Sequence, residues 1–236
     1  MRGGGARYYP YNCSKLLISI TGKSGSGKTT ISEAISDICD CFIIGADGYH
    51  KYERKSKMWE RLTHYNVSAN NLVQLAMDIK NIYQDIGNLK IPIYNHQKGT
   101  FFSSETIYVK DLDVVIVEGL HTLYKEVIGD FVKIKIYIDS DESDNQKIKR
   151  DSLERNYEVS KIKEIIEKRQ NDYKKYVELQ KENANFLIIV RDGQFVIEIK
   201  DILLNGILHD RYIGRYEDLI KTVKDIFCQI FKERWL

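Results

Sequence analysis

No stretch of this chain approaches the roughly 18 consecutive apolar residues that a membrane-spanning helix needs. The opening residues, MRGGGARYYPYNCSK, lack the apolar centre of a secretory signal and read as a flexible lead-in over residues 1–15. A dominant charge is missing too. Lys and Arg number 36 against 34 Asp and Glu, a net charge of +2, so no strong field argues for nucleic acid or anionic lipid. The cysteines, Cys13, Cys39, Cys41 and Cys228, form no pair of C-x-x-C units, and no zinc site is expected. Cys39 and Cys41 flank Asp40 and read as thiols in a reducing compartment. A cytoplasmic chain with no membrane or nucleic-acid partner is the expectation. Its 236 residues, 43% hydrophobic and 30% charged, are enough for one α/β domain with a sizeable core, expected over residues 16–236.

What is present begins at residue 16. An apolar run, Leu16 to Ile20, feeds into Gly22-Lys23-Ser24-Gly25-Ser26-Gly27-Lys28-Thr29, which satisfies G-x-x-x-x-G-K-[ST] at every fixed position. Glycines let the chain curl so that successive backbone N–H groups face phosphate oxygens. From Thr30 onward, Ile31, Ala34, Ile35 and Ile38 recur at helical spacing, so a helix aims its positive end at the same anion. Strand, loop and helix stand in the required order, which a ligand-free glycine turn would not need. The loop, Gly22, Ser24, Gly25, Ser26, Gly27, Lys28, Thr29 and Thr30, is therefore assigned to a nucleoside triphosphate. Lys28 supplies charge to the transferring phosphates, and Thr29 offers a hydroxyl to Mg²⁺.

Phe42 to Ile44 predict a second buried strand that ends near Asp47, followed by a polar, basic stretch, Lys51 to His64, read as a mobile arm or short helix. Ser68 is expected to cap a helix whose stripe runs Leu72, Leu75, Ala76, Ile79, Ile82, Tyr83 and Ile86, with Gly87 stopping it. Residues 89–109 alternate loosely and predict a β-hairpin or ribbon. Val114–Val117, Phe131–Ile138 and Phe186–Val190 read as core strands, and Gln194–Ile199 as an edge strand. Helices are expected near 142–156 and 159–183, in a lid region of about 145–183, and over Tyr216–Arg234. The fold class is α/β, a P-loop NTPase-type three-layer fold with a mainly parallel sheet, helices on both faces and a small β-hairpin excursion.

A P-loop alone names no reaction. The sequence contains no N-K-x-D and no L-S-G-G-Q, which disfavours a GTPase and a transporter ATPase. A compact P-loop chain with an Asp after the second strand suits a small-molecule kinase. From about residue 16 to 190 the chain also resembles the phosphoribulokinase/uridine kinase family. The resemblance is carried by GKSGSGKT, Asp47-Gly-Tyr-His50 with Arg54, Thr63-His64 with Ala69-Asn70-Asn71, Ile91-Pro-Ile-Tyr-Asn-His96 with Gly99, Val117-Glu-Gly-Leu-His121, and Arg150-Asp151 with Glu154-Arg155. The Tyr-Asn-His and Glu-Gly-Leu-His stretches are more similar to phosphoribulokinases. The chain departs from the family pattern at Val67 and Asn156, where the family has Pro and Gly, and at Arg169-Gln-Asn-Asp172, where it has Arg-x-Pro-Asp. Ser26 stands where plant-type phosphoribulokinases carry a redox cysteine, so no thiol switch of that kind is expected. The resemblance implies ATP with Mg²⁺ and a small-molecule acceptor, a sugar phosphate such as ribulose 5-phosphate or else a nucleoside. A catalytically silent nucleotide-binding regulator is a third reading, and homo-oligomerisation stays open.

Residue roles follow. Asp47, at a strand's carboxyl end, is the expected general base, against a turn-making Asp before Gly48. Glu118 joins Thr29 as a metal partner, against a solvent-facing strand end, and Asp151 is placed with them. The resemblance assigns His50 and Arg54 to the acceptor's phosphate, which the planar fork of Arg54 could grip, against a merely solvated basic arm of Lys51, Arg54, Lys55 and Lys57. The resemblance places Lys147 and Arg150 at the catalytic centre and Arg155 at the acceptor. Lys147–Asp151 and Asp151–Arg155 are also i, i+4 pairs that a surface ladder would show. Tyr94 and His96 are expected to line the acceptor pocket or else to pack within the hairpin.

Overall fold

The computed structural model describes residues 15–54, 56–201, 204 and 207–235. Most of the expected lead-in, with Cys13, and Lys55 of the basic stretch lie outside the described residues. Lys15 does not belong to a flexible lead-in. It is buried, donates to the carbonyls of Val109 and Leu112, and pairs with Asp85 at 2.8 Å.

Strand β1, Leu16–Gly22, is buried along its whole length, as expected of a strand covered on both faces. It pairs in parallel with β7, Val114–Gly119, on one side and β8, Ile134–Ser140, on the other. β2, Phe42–Gly45, adds in parallel beyond β7, and β9, Phe186–Arg191, beyond β8. The carboxyl ends of β1, β2, β7 and β8 border the cavity described below. β10, Gln194–Ile199, returns antiparallel through Asp192 and Gly193, whose φ angles of 50° and 72° suit the two left-handed positions of a tight hairpin. The expectation of an edge strand there needs correcting. β11, Arg211–Arg215, pairs outside β10, so the order is β11-β10-β9-β8-β1-β7-β2.

Alternation along β1 divides the core. Leu16, Ile18 and Ile20 join α1, Lys28–Ser36, and the terminal helix α6, Leu219–Trp235, in one apolar cluster. Leu17 points to the other face and joins α3, Leu72–Tyr83. On the α1 side, Val223, Ile226, Phe227 and Ile230 of α6 are buried, each contributing about 1.5–3 kcal/mol by area transfer. On the α3 side, Asn71 rather than Ser68 caps the helix. Its side chain accepts from the Gln74 N–H, while Ser68 lies in a single 3-10 turn.

The excursion forms two small antiparallel pairs. β3, Asn88–Leu89, pairs with β6, Ile107–Tyr108, and β4, Pro92–Asn95, with β5, Thr100–Ser103. The basic stretch folds into one short helix, α2, Lys57–Arg61. α4, Ser143–Leu153, and α5, Val159–Asp172, follow β8, and the helix expected to run to 183 changes at Tyr173 into a π-type turn and then a 3-10 turn. Among the described residues no helix is long and apolar enough to cross a membrane.

Candidate active site

A cavity of about 710 Å³ opens where β1, β2 and β7 end, and its walls take in every expected site residue except Gly22. Gly22 shapes the loop's entry. Its φ is 150°, and a Cβ there would sit 2.4 Å from the Ile138 carbonyl oxygen. At Gly25, with φ 89°, a Cβ would come within 2.2 Å of the Ser143 carbonyl oxygen, so only glycine lets the loop lie this close to the start of α4. Lys28 folds back to donate to the carbonyls of Gly22 at 3.1 Å and Lys23 at 2.9 Å. Burial lowers its pKa to about 8, against the pull of Asp47 and Glu118.

Glu118 ends β7 opposite α1. Thr29 Oγ1 donates to its Oε1 at 3.1 Å and Ser32 Oγ to its Oε2 at 3.0 Å. Burial raises its pKa, with the two hydroxyls and Lys28 opposing. A hydroxyl and a carboxylate, with no nitrogen or sulfur among them, fit Mg²⁺. Asp151 does not join that pair. Lys147 Nζ takes its Oδ2, while Arg150 at 3.0 Å and Arg155 at 3.1 Å take its Oδ1. Burial would raise the Asp151 pKa, but these three cations hold it below the ordinary carboxylate value. With both oxygens engaged, Asp151 anchors basic side chains at the cavity wall rather than presenting a free carboxylate to a metal.

Asp47 lies two residues past β2 with its side chain 41% exposed toward the cavity. His50 Nε2 stands 3.6 Å from one oxygen and His96 Nε2 3.3 Å from the other. Burial works to raise its pKa, and His50, His96, Lys28 and Arg150 together lower it, so it is ionised at neutral pH. Arg155, Arg150 and Arg54 all act electrostatically on His96. Arg54 lies against the hairpin. Its N–H donates to the Gly99 carbonyl at 3.1 Å and its guanidinium covers the Tyr157 ring at 5.6 Å.

Several residues here were not assigned to the site from sequence. Arg169 enters the cavity and donates to His64 Nε2 at 3.3 Å, and Thr63 Oγ1 donates to Asp172 at 2.6 Å. Two short motifs more than 100 residues apart therefore interlock. Trp59 stands parallel to Tyr94, ring centroids 6.2 Å apart at 11°. Asn156, standing for glycine, has φ 54°, a left-handed conformation that asparagine tolerates better than most residues.

Residues 17–194 match the family model described as the phosphoribulokinase / uridine kinase family. The chain belongs to this family. It is 32% identical over 194 residues to a phosphoribulokinase of Synechocystis sp., a span covering 80% of this chain and 58% of that protein. It is 31% identical over 186 residues to a uridine kinase of Ureaplasma parvum, covering 75% and 88%. The chain thus spans about half the length of the curated phosphoribulokinases it matches. Among solved structures, a phosphoribulokinase from Rhodobacter spheroides aligns with a TM-score of 0.72 at 17% identity, over 94% of this chain and 98% of that one, a likeness of fold. The family works in general with ATP and Mg²⁺.

Proposed function

We propose that this chain transfers the γ-phosphoryl group of ATP to a hydroxyl of a pentose phosphate, with ribulose 5-phosphate as the preferred candidate. Phosphoryl transfer needs positioning and charge stabilisation more than covalent chemistry. The loop amides and Lys28 cradle the β- and γ-phosphates. Thr29 and Glu118 would hold Mg²⁺, which when bound spreads the charge of the phosphate oxygens. Asp47, ionised and facing the cavity, accepts the proton of the attacking hydroxyl as its oxygen bonds to the γ-phosphorus and ADP leaves. Arg150 and Lys147, fixed by Asp151, face the transferring group from α4. Residues 145–183 act as a lid over both substrates.

The observation that carries the acceptor is the pair Arg54 and Arg169. Both line the cavity, and among the described residues neither has a carboxylate within ion-pair distance, while Arg155 shares Asp151 with two other cations. A phosphate dianion supplies the missing counter-charge. The parallel Trp59 and Tyr94 rings favour a second reading, a nucleoside whose base lies against them. ATP consumption against ribulose 5-phosphate, uridine, cytidine and pantothenate separates the two, repeated with Arg54→Ala. Loss of one charge-assisted contact of about 1.5–3 kcal/mol should raise the KM for the sugar phosphate roughly 10- to 150-fold and leave that for ATP in place. Turnover of uridine, indifferent to Arg54 and without activity on the sugar phosphate, would move the chain to the nucleoside reading.

A further inference from the structure

The ring of His50 is held from behind by a residue that reaches no substrate. Asn70 is 5% exposed, and its Oδ1 lies 2.6 Å from His50 Nδ1. The direction of that amide is not free. Asn70 Nδ2 faces two backbone carbonyls, those of His64 at 3.0 Å and Asn66 at 2.9 Å. A flipped amide would set its oxygen against both of them, so Nδ2 must point there and Oδ1 toward His50. An oxygen at 2.6 Å requires a proton on Nδ1. The backbone keeps the two residues in place. His50 and Asn70 form an isolated antiparallel bridge, with Lys51 N–H donating to Ala69 at 2.8 Å and Asn71 N–H to Tyr49 at 2.7 Å. The His64 carbonyl also lies 3.2 Å from His121 Nε2, which steadies the acceptor that orients Asn70.

We infer that Asn70 is a positioning residue that commits the His50 proton to Nδ1 and so presents Nε2 to the substrate beside Asp47. In the neutral ring Nε2 is then a lone pair, 3.6 Å from Asp47 Oδ1. Two acceptors at that separation meet two hydroxyls of one polyol. Asp47 takes the hydroxyl that is phosphorylated, and His50 takes a neighbouring one. This places the acceptor among polyhydroxylated molecules, and it rests on the reading of Asp47 as the base for its kinetic consequence only.

The tautomer is testable without any substrate. The groups around the ring are Asp47 beyond Nε2, Trp59 and Tyr94 against its edge, His64 alongside, and His121 behind. In long-range ¹⁵N–¹H spectra of the ligand-free wild type, the neutral His50 ring should carry its proton on Nδ1 and leave Nε2 bare. A neutral ring with its proton on Nε2 overturns the inference, and this measurement stands even if an Asn70 variant fails to fold. Asn70→Ala should release the ring to a mixture of tautomers and raise the acceptor KM about 3- to 10-fold with the ATP KM unchanged. In a His50→Ala background the same change should cost less than about twofold, because its route of action is gone. Equal cost in both backgrounds would make Asn70 structural only. A retained Nδ1 proton in a protein with no acceptor turnover would sink the proposed reaction and leave the positioning role intact.

Discussion

Raising the pH should weaken triphosphate binding through one side chain, Lys28. Its ammonium is drawn out of water among the loop carbonyls, and burial brings its pKa to about 8. The direction is that of a base whose charged form is disfavoured, so in the free protein the charge is present below about pH 8 and lost above it. A bound polyphosphate needs that charge and draws the proton back. At pH 9 only about one Lys28 in eleven is charged, so the apparent affinity for ATP should fall about tenfold from its low-pH value, close to 1.4 kcal/mol. Binding at pH 9 should take up nearly one proton per ATP. Isothermal titration at pH 7 and 9, in two buffers of different ionisation enthalpy, reads both quantities. Lys28→Met should bind weakly at both pH values and take up correspondingly fewer protons. That control matters because burial also lowers the pKa of Lys147, whose contribution survives in the variant. An affinity that stays flat from pH 7 to 9 in the wild type, with no proton uptake, would refute the account of Lys28.

Two further outcomes are expected. Asp47→Asn should keep Mg-ATP affinity while lowering kcat at least about 10²-fold; a kcat that barely moves, or loss of ATP binding instead, would give Asp47 another role. Asp151→Ala leaves Lys147, itself 5% exposed, without its counter-charge, so denaturant unfolding should report a loss of about 3–5 kcal/mol, and the double variant with Lys147→Met should recover much of it. A single-variant loss below about 1 kcal/mol would mean that Asp151 is not the anchor of the cluster.

What could be read from the sequence was what local chemistry determines. β1, the loop and α1 follow one another without a gap, so periodicity and glycine spacing describe them together. β11 was missed for a packing reason. Its Gly214 weakens a strand pattern, yet a Cβ there would stand 2.7 Å from the Phe195 ring, so the sheet requires the residue that hides the strand. The cap of α3 was misplaced because Ser68 and Asn71 are both good caps, and only the turn at 67–69 decides between them. At the site, the spacing of Lys147, Asp151 and Arg155 was visible, but spacing cannot say whether an aspartate meets a metal or cations. Arg169 and His64 lay within quoted motifs and became neighbours only through the fold.

The two halves of the cavity differ in how they are specified, and this is why the acceptor is the harder question. In the proposed reading, the triphosphate half is a backbone motif, whereas the acceptor half is a convergence of the 50–64 stretch, the β4–β5 hairpin, α4 and α5. Net charge does not decide between a sugar phosphate and a nucleoside, because acids and bases are mixed along these walls. Location does. Arg54 and Arg169 are half-buried and repel one another, and burial lowers the pKa of Arg169. A neutral acceptor closed over both guanidiniums would leave them without a counter-charge, at a cost of several kcal/mol for each buried unpaired charge. A phosphate dianion turns the same closure into two charge-assisted contacts. The stacked Trp59 and Tyr94 wall is compatible with either acceptor, since a sugar also lies against flat rings, so the arginines carry more weight than the aromatics.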